Sequence, residues 1–227
     1  LLILSSMRNT KTLRGYKMLN NKKLQANLIS LFANPVMIAK ETFDMDEETK
    51  KYIENLPKQP NRGGGGNLYT QDTYILEDSK LKKLKDYVSN YINFYFYELM
   101  SVNKTRCQIY ITQSWFNYNK KETKHHPHSH PNSIISGVFY LDDNQAPITF
   151  HRENRTINLD LMLNDFNEFN SSNYSISTKK NTLIMFPSKL THGVQSNESE
   201  KERISLSFNT YVKGDMGSIS DLNYLKI

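Results

Sequence analysis

The chain has a single cysteine, Cys107, so it cannot form an intramolecular disulfide. That suits a reducing compartment, and a cytoplasmic location is the expectation. In its sequence context Cys107 reads as a small apolar strand residue rather than a reactive thiol. Long hydrophobic runs are also missing. None approaches the roughly 18 residues needed to cross a bilayer as a helix, so no membrane partner is expected. The opening Leu1-Leu2-Ile3-Leu4 comes before the basic residues, the wrong order for a signal peptide. The first residue is not Met, which leaves Met7 and Met18 as candidate starts. Acidic residues are absent from positions 1–29, where Arg8, Lys11, Arg14, Lys17, Lys22 and Lys23 account for the whole formal charge of +6. The remaining residues carry 23 basic and 23 acidic side chains, so the body of the chain is neutral. A neutral body disfavours a groove that tracks nucleic acid; only the basic arm could do so. Such an arm is more often a solvated, poorly ordered terminus. No internal repeat is visible. The run Gly63 to Gly66 lacks the preceding strand and following Lys-Ser/Thr of a phosphate loop, and reads as flexible backbone.

Aromatic residues are plentiful: 14 Tyr and 11 Phe in 227 residues, a supply that packs well on pleated sheets. The length suits one domain, expected over residues 30–227, with residues 1–29 as an N-terminal arm. Residues 30–43 read as a short strand broken at Asn34-Pro35. Asp44, with Glu47 three residues on, has capping-box spacing and predicts a helix over about 44–56. Asp78-Ser79 opens a longer helix to about 100, whose Leu81, Leu84, Val88, Tyr91, Ile92, Tyr95 and Leu99 keep helical spacing. From Cys107 onward the pattern changes to short β-branched or aromatic segments at 107–117, 134–141, 147–151, 174–178, 181–187 and 203–212. The stretch 160–173 reads as a surface loop. The fold class is therefore mainly β (α+β), a sandwich or barrel with N-terminal helices packed on one sheet.

Four of the six histidines, His125, His126, His128 and His130, fall within six residues. Such a cluster could be no more than a polar turn. However, His128 and His130 are two apart, and in an extended segment such residues point the same way. His192 stands alone far downstream, and a distant imidazole joining a close pair is the arithmetic of a three-ligand site with open positions. Arg203 begins a strand in which Arg203, Ser205 and Ser207 share one face and Ile204, Leu206 and Phe208 the other. An inward guanidinium needs an anionic partner, and its fork matches a carboxylate. Taken by itself, Arg203 is more simply paired with Glu200 or Glu202. Ser136, Val138 and Tyr140 share a face of the strand 134–141, which puts a phenol in reach of the same carboxylate.

These residues carry a family resemblance. The run His128-Ser129-His130-Pro131-Asn132-Ser133, continuing Ile134-Ile135-Ser136-Gly137-Val138-Phe139-Tyr140, resembles the metal-binding stretch of 2-oxoglutarate/Fe(II)-dependent oxygenases of bacteria and phages. That branch is similar in fold to the prolyl hydroxylases. Further matches are Ser114-Trp115-Phe116-Asn117, Phe186-Pro187-Ser188-Lys189-Leu190-Thr191-His192-Gly193-Val194 and the strand Glu202 to Asn209. The resemblance covers about residues 30–212. It implies a double-stranded β-helix (jelly-roll or cupin-like) that uses Fe(II), 2-oxoglutarate and O2. It further implies His128 and His192 as iron ligands and Arg203 as the partner of the distal carboxylate of 2-oxoglutarate. Ser205 and Tyr140 would help by hydrogen bonding, and Asn117 would contact cosubstrate or substrate. Most of the superfamily has an acid where this chain has His130, so His130 is either the third ligand or lies just outside the ligand set with water in its place. Trp115 reads as packing, and His125, His126 and His151 as non-ligands. The implied activity is hydroxylation of a peptide or protein side chain, of the prolyl hydroxylase type, or of a small molecule. The alternatives are a three-histidine cupin-type dioxygenase without 2-oxoglutarate and a non-catalytic metal-binding domain.

Overall fold

The computed structural model describes residues 11–12, 27–28, 31–63, 65–143, 145–153 and 162–227. The chain divides into two units, Leu1–Pro35 and Val36–Ile227. In the first, β1 (Lys11–Thr12) pairs antiparallel with β2 (Asn27–Leu28). The expected poorly ordered arm otherwise falls outside the described residues.

In the second unit, α1 (Glu47–Glu54) is capped by Asp46, whose carboxylate accepts from the Thr49 amide at 2.7 Å. The sequence reading placed that cap at Asp44, and the structure corrects it by two residues. Asp44 instead accepts from the Asn181 side chain at 2.6 Å. The longer helical stretch is three segments: a 3-10 turn over Ser79–Leu81 capped by Asp78, α2 (Lys82–Asn93), and a π-helical Phe94–Leu99. Leu84, Val88 and Ile92 recur every fourth residue and are all buried, so one stripe of α2 faces the core.

The strands are β3 (Met37–Ile38), β4 (Lys58–Pro60), β5 (Leu68–Thr70), β6 (Cys107–Asn119), β7 (His125–His128), β8 (Ile135–Tyr140), β9 (Gln145–His151), β10 (Asn173–Thr178), β11 (Leu183–Pro187), β12 (His192–Val194), β13 (Arg203–Met216) and β14 (Leu225–Lys226). They form two antiparallel sheets. The larger runs β3-β11-β8-β13-β6-β5-β4, with β14 added to β13, and the smaller runs β10-β9-β12-β7. The expected strand over 30–43 shrinks to Met37–Ile38, where pairing with β11 gives its backbone a partner. β7 and β12, read from the sequence as flanks of strands, are strands in their own right because each completes the other's hydrogen bonds.

Alternation along β13 and β8 sorts the two faces of the large sheet. Phe139, Ile204, Leu206 and Phe208 join Phe116, Leu84, Val88 and Ile92 in one buried cluster, so the helices cover this face. A buried side chain of this kind contributes about 1.5–3 kcal/mol relative to exposure. A second cluster takes Val138, Tyr140, Ile184 and Phe186 from the large sheet and Ile148 and Phe150 from the small one. One face of each sheet thus packs on the other, and the cavity described next opens between them. Gly137 on β8 is required by this packing: a Cβ there would stand 2.3 Å from the Phe208 ring. No helix among the described residues is long and apolar enough to cross a membrane.

Candidate metal centre and cosubstrate pocket

His128 is the last residue of β7 and His192 the first of β12, and the antiparallel register sets them directly opposite each other. Their ring centroids are 4.6 Å apart. His130, two residues beyond β7, brings its ring to 5.0 Å from His128 and 5.1 Å from His192. One nitrogen of each of the three lies within 4.8 Å of the others. The Nδ1 of His128 meets the His126 carbonyl at 2.8 Å and that of His192 the Leu190 carbonyl at 2.9 Å. A carbonyl oxygen only accepts, so each Nδ1 carries the proton and each Nε2 is left with a free lone pair. A backbone partner on the outer nitrogen is the arrangement that fixes a metal-binding imidazole. Burial pushes His192 down to about 3 and His130 down to about 4, and lowers His128, so all three rings are neutral near pH 7.

The turn that carries His130 is held by a polar cluster that sequence reasoning missed. The His130 amide donates to the Ser188 carbonyl at 2.9 Å. The Ser188 hydroxyl meets those of Ser136 at 2.8 Å and Ser133 at 2.7 Å, and Ser136 donates to Asn209 Oδ1 at 2.8 Å. Ser188 and Ser136 are buried, so these bonds are made out of competition with water. A concentration of serines flanking both histidine segments was the available signal.

The large sheet supplies the opposite wall. Register places Asn117 on β6, Ser205 on β13 and Tyr140 on β8 in one row across the sheet, with Trp115, Ser207 and Val138 in the next and Asn119 beside Arg203. Directly opposite residues share a face, and Arg203, Ser205, Ser207, Asn117 and Tyr140 all line a cavity of about 270 Å³ with the three imidazoles. Arg203 is 4% exposed and Tyr140 2%. The Nε and Nη1 of Arg203 and the hydroxyl of Tyr140 have no hydrogen-bond partner among the described residues. Glu200 pairs with Lys121, and Glu202 lies 3.8 Å from Lys58, so neither acid neutralises Arg203. Burial lowers the guanidinium and raises the phenol from their ordinary values. Leaving such groups unpaired costs about 1–3 kcal/mol each, more for the charged one. This wall therefore offers donors that an anion with at least two acceptor atoms would satisfy.

Asn117 is already engaged: its amide donates to the Ser207 hydroxyl at 2.9 Å and its carbonyl accepts from the Trp115 indole at 3.2 Å. Trp115 lines the cavity, with its ring centroid 6.3 Å from that of His130. His125 also lines the cavity but is outside the three-nitrogen group. Its Nε2 lies 3.2 Å from Asn119 Oδ1, and burial pushes it down to about 3. His126 is exposed at the rim, whereas His151 is not part of the lining. The glycine run is more than slack chain. A Cβ on Gly65 would stand 1.8 Å from the Lys124 carbonyl, and Gly65 accepts from the Lys124 amide at 2.9 Å, which holds this loop against the start of β7.

An imidazole cluster beside unpartnered buried donors, between two antiparallel sheets, is an arrangement that an iron oxygenase using 2-oxoglutarate (2OG) would need. Residues 113–209 match the family model described as "Putative 2OG-Fe(II) oxygenase", so the chain is similar to that family from β6 to β13, the span that holds all three histidines and Arg203. No curated protein matches the sequence. Among solved structures, HygX of Streptomyces hygroscopicus, crystallised with nickel, 2-oxoglutarate and hygromycin B, is 10% identical with a TM-score of 0.55, over 78% of this chain and 82% of that one. The carbocyclase SnoK from nogalamycin biosynthesis is 8% identical with a TM-score of 0.55, over 78% and 80%. A Pseudomonas putida prolyl-4-hydroxylase is 10% identical with a TM-score of 0.51, over 79% and 94%. At these identities the likeness is one of fold.

Proposed function

We propose that this chain is an Fe(II)- and 2-oxoglutarate-dependent dioxygenase that hydroxylates a peptide or protein side chain, or a small molecule, with release of succinate and CO2. In this reading the two sheets are the walls of a double-stranded β-helix. Residues 30–227 are one oxygenase domain, residues 1–29 a separate basic arm, and the protein works in the cytoplasm. His128, His130 and His192 hold the metal through nitrogen atoms. When bound, Fe(II) and 2-oxoglutarate supply the oxidising chemistry, in which one oxygen atom of O2 goes to substrate and one to succinate. Arg203 binds the far carboxylate of 2-oxoglutarate, and Tyr140 and Ser205 donate to it. Asn117 holds Trp115 and Ser207 in place beside the metal-binding histidines. Phe186, Val138 and Ile148 exclude water from the inner end of the cavity.

The observation that carries this reading is the pairing of three convergent neutral imidazoles with the buried Arg203 Nε and Nη1 and Tyr140 hydroxyl, which have no hydrogen-bond partner among the described residues. A cupin-type dioxygenase without 2-oxoglutarate would have no anion for Arg203, and a purely metal-binding domain would have no need of one. Structures of this fold include HygX with hygromycin B bound and a protein named as a prolyl-4-hydroxylase, which supports the breadth of the substrate statement. The test is calorimetry of 2-oxoglutarate against metal-loaded protein, followed by succinate release under Fe(II) and O2. Slow succinate formation without added substrate is expected. Metal uptake with no affinity for 2-oxoglutarate would leave only the two alternatives.

A further inference from the structure

The charge of the whole cavity has a consequence for the substrate. Among the described residues no aspartate or glutamate lines it, and Arg203 is the one permanently charged residue that does. The position in which this superfamily usually carries an acid holds His130, a neutral ligand. The two positive charges of a divalent metal are matched by the two carboxylates of 2-oxoglutarate. One of those carboxylates is also the partner proposed for Arg203, so the set of metal, 2-oxoglutarate and Arg203 keeps one net positive charge. An uncompensated charge in a partly enclosed, partly apolar cavity is costly, and the bound cation governs the local field. At the rim, Arg62 follows the lining residue Asn61 and Lys124 precedes His125. Both are exposed, and neither has an ion pair among the described residues. Glu153 is exposed and accepts from the Thr191 hydroxyl at 3.4 Å.

We propose that the substrate carries an oxyanion, a carboxylate or a phosphate, which enters this cavity beside the three imidazoles and balances the remaining positive charge. The inference rests on the reading of His130 as third ligand and Arg203 as the 2-oxoglutarate anchor. It narrows the substrate from any peptide or small molecule to an anionic one, an acidic side chain included.

The test uses the full chain loaded with nickel(II) and 2-oxoglutarate in chloride-free buffer, a pair that binds without turnover. Acetate, inorganic phosphate and the neutral acetamide are the probes, read by calorimetry. At least one oxyanion is expected to bind about tenfold tighter than acetamide, the scale of one charge pair at intermediate dielectric. Acetate and phosphate then distinguish the two sources of the anion. His130→Glu, which restores the negative ligand, should remove the preference. His126→Glu, which adds an acid at the rim beside the His128 ring and keeps the backbone carbonyl that holds His128 Nδ1, should reduce it by about threefold. Acetamide binding as well as both oxyanions overturns the proposal, as does a preference that survives His130→Glu. If that variant fails to hold nickel, an unchanged preference in His126→Glu overturns it. Protein that never takes up nickel and 2-oxoglutarate sinks the proposed function as well, whereas loaded protein with no preference sinks this inference alone.

Discussion

The two walls of the cavity are incomplete in opposite senses. The small sheet, through β7 and β12, presents neutral nitrogens with free lone pairs and backbone-bonded outer nitrogens, a set of acceptors that lacks a cation. The large sheet, through β8 and β13, presents buried donors on Arg203 and Tyr140 that have no partner among the described residues. Each wall alone would be a destabilising defect; together they would suit one metal-bound dicarboxylate, the ligand proposed above. The lesson is that unsatisfied groups are informative in pairs, because their signs specify the ligand.

Several substitutions would break or sharpen that contrast. The largest effect is expected for His192→Ala, which removes one of three acceptors. Affinity for Mn(II) or Fe(II) should fall by more than about 100-fold, since losing even an outer partner of a ligand costs about 10–100-fold. Anaerobic calorimetry reads this, and circular dichroism should stay unchanged. Arg203→Met acts on the other wall. Metal affinity should be kept, while 2-oxoglutarate affinity drops by about 100-fold, the scale of losing one partner of a buried charge pair. The same substitution should raise the melting temperature of the ligand-free protein, because it removes two buried donors that have no partner among the described residues, each costing about 1–3 kcal/mol. A lower melting temperature would mean that the guanidinium has a partner after all.

Acid should separate the walls as well. The folded pKa values of His130, at about 4, and His125 and His192, at about 3, lie below the ordinary 6.5 because burial disfavours the charged ring. Between pH 6.5 and about 4 the unfolded chain therefore binds more protons than the folded one, and stability falls as pH drops through this window. Urea titrations of metal-free protein should show this slope, and the His125→Gln variant a shallower one. Arg203 stays charged throughout and contributes no slope. The smallest effect belongs to Tyr140→Phe. One lost hydrogen bond should weaken 2-oxoglutarate about fivefold, with ligand-free stability unchanged or slightly raised.

Much of this was legible in the sequence because the relevant patterns are local. Alternation along 203–208 put Arg203, Ser205 and Ser207 on one face, and they line the cavity as expected. The spacing of His128 and His130 put both on one side, and helical spacing marked the buried stripe of α2. What stayed hidden depended on partners distant in the chain. β7 and β12 are too short to show a strand period, and only their mutual hydrogen bonds define them. His125 looked like part of a polar turn, yet the walls around it bury its ring. The cap at Asp46 rather than Asp44 was decided by Asn181, which draws the Asp44 carboxylate elsewhere.

Residue type and spacing alone thus determined the chemistry that is available: imidazoles two apart, one more far downstream, and a cation leading an amphipathic strand. Only the tertiary structure decided that His128 and His192, 64 positions apart, stand opposite each other, and that neither nearby glutamate reaches Arg203. The physical reason is that side-chain direction follows from local backbone geometry, whereas strand register and burial are set by non-local pairing, which no short window of sequence contains.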